Sequence, residues 1–175
     1  SKLINDWTEA DWKGDKPVIW RKVVRYLSQI TILTNSIFLF YLFGKSFGLY
    51  TSLLPRMLNL FLPNSLTLII MFWSILAKNI DINILLDYDC LHLHLISGLL
   101  ALKECYSTNH NYNPEYKLNI LWSLFLFAVI WINKLIRNVW TYGLFKFDSI
   151  SGYIYFLTAI TVSFLCTKGF SLLLN

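Results

Sequence analysis

Five apolar runs, each about long enough to cross a bilayer, follow one another along 175 residues. They extend from about Tyr26 to Gly44, Ser52 to Ala77, Ile84 to Cys105, Leu118 to Leu135 and Ser149 to Leu173. A spanning helix needs about 20 such residues. Inside lipid the backbone must satisfy its own hydrogen bonds, which for runs of this kind leaves the α-helix. The sequence therefore predicts an all-α polytopic membrane protein of about five transmembrane helices. The second run is long for one span and holds Pro63, which predicts a helix kinked there. Composition agrees: 14% of residues are charged and 17% aromatic, where a soluble domain carries about a quarter charged residues. Rings in such numbers suit a membrane–water boundary.

Residues 1–25 form a polar N-terminal segment of mixed charge, and 26–175 form a single helical transmembrane domain. Trp7, Trp12 and Trp20 suggest that the segment lies on the membrane surface, with a free tail as the competing reading. It holds no apolar signal-peptide core. With five spans the termini face opposite sides. The side of residue 1 then collects ten Lys and Arg and the other side five, which places the N-terminus in the cytosol. These cations sit at the ends of apolar runs, so the net charge of +5 is a matter of topology and no sign of nucleic acid. The three cysteines (Cys90, Cys105 and Cys166) read as small hydrophobes rather than a disulfide framework.

Polar residues inside a membrane face the bundle or a wet cavity. On the first helix Ser28, Thr31 and Asn35 fall within about 60° of one another at 100° per residue. Such a stripe commonly serves as hydrogen-bonded glue between helices. On the third, Asp87, Cys90, His94 and Gly98 share a face, and His92 lies opposite. Two histidines spaced H-x-H on a helix cannot close on one metal ion, so the sequence predicts no metal and no cofactor. His94 as a neutral imidazole in a low-dielectric pocket is a competent base, able to activate a hydroxyl from another helix. A core histidine donating to a backbone carbonyl is the plainer alternative.

From about Arg21 to Asn175 these residues also fall into a pattern. Arg25-Tyr26-Leu27-Ser28 is followed by Asn35, and Pro63 leads through an apolar stretch to Phe72-Trp73. The block "DCLHLHL" precedes Glu104 by ten residues counted from His94, and "NHNYNP" and Trp140-Thr141-Tyr142-Gly143 follow. In order and spacing this resembles the androgen-induced and androgen-dependent membrane hydrolases. Characterised members of that family cleave fatty acid esters of hydroxy fatty acids with an intramembrane threonine and a histidine. Ser28 stands where the family has its nucleophilic threonine, and Asn35 where it has glutamine. Leu91 and Cys90 replace the first His and the Asn of the "WLNHxMHT" block, and Gly143 replaces the proline of "WVYP". The polar segment 1–25 stands where the family has its first spanning helix.

The resemblance implies an intramembrane ester hydrolase with Ser28 as nucleophile and His94 as base. Its substrate would be a lipid, a fatty acyl ester entering sideways between the first and third helices. Thr31 and Asn35 are candidates for orienting the base or donating to the oxyanion. Glu104 reads as a structural carboxylate near the far interface, paired with Arg137 or another basic group. The family implies the endoplasmic reticulum. The alternative is a non-catalytic member that serves as a subunit or assembly factor of a larger membrane complex.

Overall fold

The computed structural model describes residues 29–49, 52–76, 86, 91–138, 140 and 145–174. Among the described residues every regular element is helical. Helix α1 is Ile30–Ser46, and α2 is Leu53–Met71, which runs on into a π turn at Phe72–Leu76. Helix α3, as far as it is described, comprises a π turn at His92–Ile96 and the α-helix Ser97–Ser107; α4 is Tyr116–Arg137 and α5 is Ile150–Leu173. The segment 1–25, Ser28, Asp87 and Cys90 lie outside the described residues.

Three helices, α2 with its π turn, α4 and α5, are long and apolar enough to cross a membrane. Their outward faces carry large apolar side chains, with Leu121, Leu124, Leu135, Ile154 and Leu165 all exposed. The chain is a membrane protein. Helix α1 is shorter than the apolar run predicts. Gln29 is extended and its carbonyl accepts from the Leu33 amide at 3.0 Å, so regular helix begins only at Ile30. At 1.5 Å per residue its 17 residues reach about 26 Å, short of a hydrocarbon core of ~30 Å.

Helix α2 is the hub. Every residue from Leu58 to Ser65 is buried, and α2 packs against α1, α3, α4 and α5. Pro63 sits inside this helix and cannot donate to the Asn59 carbonyl four residues back. The hydroxyl of Tyr112, in the connector between α3 and α4, donates to that carbonyl at 3.4 Å. Neighbouring helices run in alternating directions. The last turn of α1 meets the last turn of α3 through Lys45 and Glu104, and Arg56 on early α2 pairs with Glu115 before α4.

The ends of α1 and α3 explain their tight exits. Gly48 has φ 66° and Asn109 φ 48°, the left-handed conformation that glycine and asparagine adopt most readily. The Leu49 amide then reaches the Gly44 carbonyl at 2.8 Å, and the His110 amide the Cys105 carbonyl at 3.0 Å. Both are Schellman-type caps that satisfy otherwise orphaned carbonyls. Helix α4 ends likewise at Asn138, whose φ is 57°.

The second cap places His110 beside Asn59, Nε2 to Oδ1 at 2.7 Å. Burial holds the His110 imidazole below its ordinary range, with the Glu104 carboxylate opposing. The unfolded chain then binds the proton more readily than the folded one. Stability from this site is complete above the unfolded imidazole pKa of about 6.5 and declines as pH falls below it. Thermal melts of detergent-solubilised protein between pH 7.5 and 5 should show that decline, and His110→Gln should flatten it.

The connector between α4 and α5 folds back under the bundle. Phe145 and Phe147 are buried and pack with Phe127, Trp131, Trp140 and Phe156. Gly152 permits this return, because a Cβ there would stand 2.1 Å from the Lys146 carbonyl oxygen. Gly152→Ala is expected to displace the connector and to destabilise by about 1–3 kcal/mol or more. Gly169→Ala, where a Cβ meets nothing within 4 Å, is the neutral control in the same melting assay.

Candidate active site

The two π turns meet at one pair of rings. The His94 imidazole lies flat on Phe72, with centroids 3.7 Å apart and planes 5° from parallel. A π turn shifts the phase of every side chain after it and is found mostly at functional positions. Nδ1 of His94 is buried and has no hydrogen-bond partner among the described residues. The plainer expectation, a core histidine whose ring nitrogen is satisfied by a backbone carbonyl, does not describe this atom.

Asn35 grips the same turn from α1. Its Nδ2 donates to the Leu93 carbonyl at 3.1 Å, and the Ser97 hydroxyl donates to its Oδ1 at 2.8 Å. Leu93 and Ser97 bracket His94. Asn35 thus fixes the backbone that carries the imidazole and makes no bond to the ring itself. These two bonds also join α1 to α3, so the residue is both helix glue and a positioning group.

His94 lines a partly open cavity of about 100 Å³ whose other lining residues come from α1, α2, α4, α5 and the connector before α5. Leu68, Met71, Phe145, Phe156 and Ile160 make it mainly apolar, and Thr31, Thr34, Asn64, Ser123 and Ser163 give it polar points. It lies in the half of the bundle that contains the start of α1 and of α3. Deeper in, Asn64 donates to Asn119 Oδ1 at 2.8 Å and Asn119 donates to the Thr167 hydroxyl at 2.8 Å. The Ser163 hydroxyl reaches Asn64 Oδ1 at 3.4 Å. This buried network ties α2, α4 and α5 together beneath the cavity.

The structure brings together three of the residues the sequence singles out: Thr31 and His94 line the cavity, and Asn35 bonds the backbone next to His94. Ser28 lies outside the described residues, and the helical phase that relates it to Thr31 and Asn35 can be followed only from Ile30. Glu104 sits at the opposite end of α3. It accepts from the Tyr41 hydroxyl at 2.8 Å and from Lys45, both on α1. Its basic partner is therefore Lys45, since Arg137 ends α4 at the other end of the bundle. Among the described residues no three His, Cys, Asp or Glu side chains cluster closely enough to hold a metal ion.

Thr34, Asn64, Ser123 and Ser163 escape the sequence reading. Thr34 stands three residues after Thr31, one step off the stripe of Ser28, Thr31 and Asn35, and that i, i+3 relation is the signal that could have found it. The others carry no local signal, because their role depends on which helices become neighbours. No family model, curated protein or solved structure matches the chain.

Replacing Asn35 by Ala leaves a carbonyl and a hydroxyl without their partner in a low-dielectric setting, at a cost of about 1–3 kcal/mol. Asn35→Ala should lower the thermal midpoint, and Ser97→Ala should lower it less. The double variant should fall short of the sum, because the two side chains share one bond. Additive effects would show that Asn35 and Ser97 act separately.

Proposed function

We propose that this chain is a divergent relative of the androgen-induced hydrolases and that it hydrolyses a lipid ester within the membrane. Ser28 is the nucleophile and His94 the general base. One observation carries the reading: a buried imidazole nitrogen without a partner among the described residues, on a histidine that lines a mainly apolar cavity inside a membrane-spanning bundle. A base needs an unused lone pair within reach of the proton it removes. The tautomer with its proton on Nε2 leaves that lone pair on Nδ1. The Phe72 stack and the Asn35 clamp hold the ring in place, and the order and spacing of the sequence motifs add Ser28.

In this reaction the Ser28 oxygen bonds to the ester carbonyl carbon while His94 takes its proton. The carbonyl π pair moves onto oxygen and returns as the bond to the alcohol breaks, and His94 protonates the departing alcohol. Water then attacks the acyl-serine, again losing a proton to His94, which passes it to the Ser28 oxygen as the acyl bond breaks and the acid is released. No metal or cofactor enters. The excess of Lys and Arg on the side of residue 1 supports a cytosolic N-terminus, and the family resemblance supports the endoplasmic reticulum as the membrane.

The test uses purified protein in lipid nanodiscs with a fluorophosphonate probe and p-nitrophenyl esters of graded chain length. Wild type should label and turn over, and Ser28→Ala and His94→Ala should each lose turnover. Together they should be little worse than either alone, as expected of a pair that acts as a unit. Ser28→Thr should stay active. If wild type neither labels nor hydrolyses, and both alanine variants still support the protein's cellular role, the chain is instead a non-catalytic subunit of a membrane complex.

A further inference from the structure

Serine and threonine inside a helix commonly hydrogen-bond the carbonyl four residues back. This chain follows that habit at Ser36, Thr67, Ser123, Thr158, Thr161 and Thr167, each donating at 2.7–2.9 Å. Thr34 departs from it. The residue is 0% exposed, and its hydroxyl has no partner among the described residues. A buried hydroxyl left unmade is costly.

The orphan is not isolated. Among the described residues, the buried side-chain atoms without a hydrogen-bond partner that line the cavity belong to Thr34 and His94; those of Trp73 and Trp122 do not line it. The chain neighbours of the two are themselves joined, because Asn35 follows Thr34, Leu93 precedes His94, and Asn35 bonds to Leu93. The cavity is partly open and measures about 100 Å³. Two residues whose polar atoms have no partner among the described residues therefore line one cavity. One of these atoms is a hydroxyl able to donate, the other a nitrogen able to accept.

We infer that Thr34 is the oxyanion donor of the site, its hydroxyl hydrogen-bonding the carbonyl oxygen of the bound ester as that oxygen takes up negative charge. The inference rests on the ester-hydrolase reading and supplies a part that the sequence motifs do not. When the nucleophile bonds to the carbonyl carbon, the π pair moves to oxygen and His94 holds the displaced proton. The Thr34 O–H is then aimed at the new charge in a water-poor site, where a fixed donor acts most strongly. On collapse the pair returns to the C–O bond, the alcohol leaves with the proton from His94, and Thr34 ends unchanged.

Thr34→Val keeps the shape and removes the donor. In nanodiscs with a short-chain p-nitrophenyl ester, its kcat should fall about 10²–10³-fold with KM nearly unchanged, while Thr34→Ser should stay within about tenfold of wild type. Affinity for an alkyl trifluoromethyl ketone, whose adduct oxygen is charged, should fall with kcat, and affinity for the matching unreactive ether should not. Fluorophosphonate should still label Thr34→Val at Ser28, but more slowly. The variant should melt no lower than wild type, because an unsatisfied group has been removed; Thr34→Ala is the second variant should it fail to fold. Turnover by Thr34→Val equal to wild type overturns the assignment and leaves the hydrolase reading standing. Complete loss of labelling in folded Thr34→Val also overturns it, since Thr34 would then be the nucleophile. A wild type without esterase activity removes both.

Discussion

The buried hydrogen bond between Asn64 and Asn119 is the joint on which the rest of the bundle depends. In a membrane the lipid-facing sides of helices gain nothing from the hydrophobic effect by meeting one another, so packing and interhelical hydrogen bonds decide the arrangement. Asn64 lies on the helix that touches all the others, one residue after the proline that interrupts its backbone ladder. It also donates to the Leu60 carbonyl at 2.7 Å, and through Asn119 and Thr167 it fixes α4 and α5 around α2. That fixes where the cavity floor lies.

Polar groups then sort by depth. At the end bearing the α3–α4 connector, charges pair near the membrane boundary: Lys45 with Glu104, and Arg56 with Glu115. At mid-depth, neutral amides and hydroxyls satisfy one another. In the half holding the π turns, His94 and Thr34 have polar atoms without partners among the described residues. A bundle stabilised by polar pairing elsewhere tolerates these two unpaired atoms at residues that line one cavity, with π turns beside it. Sites of function are where such local inconsistencies are expected.

How far the sequence could be read follows from which interactions are local. Apolar periodicity and length located α4 and α5 to within two residues, and Pro63 does lie inside one helix. The described helix α1 begins at Ile30 after an extended Gln29, and the earlier residues of that apolar run, 26–28, lie outside the described residues. The π turns were illegible, since "FWSIL" and "HLHLI" carry no composition that separates π from α. Asn35 and Thr31 were found from helical phase alone. Their partners were not, because the Leu93 carbonyl is a backbone group and Ser97 is on another helix. The partner of Glu104, Lys45, is 59 residues away in sequence, a pairing that only the fold defines.

The connector between α4 and α5 completes the argument for a built cavity rather than a packing defect. A void between loosely fitted helices would be bounded by whatever side chains happened to face it. Here the connector is held to the start of α5 by two bonds to the Lys146 carbonyl, from the Ser149 amide at 3.1 Å and the Ser149 hydroxyl at 2.9 Å. Trp140 Nε1 donates to Asp148 at 3.1 Å and keeps the loop closed at its base. The close approach at Gly152 leaves no room for the connector to relax, so Phe145 is fixed as one wall of the cavity. His94, fixed by Phe72 and by the Asn35 clamp, lines the same cavity. A loop and a π turn thus each fix one lining residue of the cavity independently. Such pre-formed geometry lets a donor and a base act on a reacting group without reorganising first.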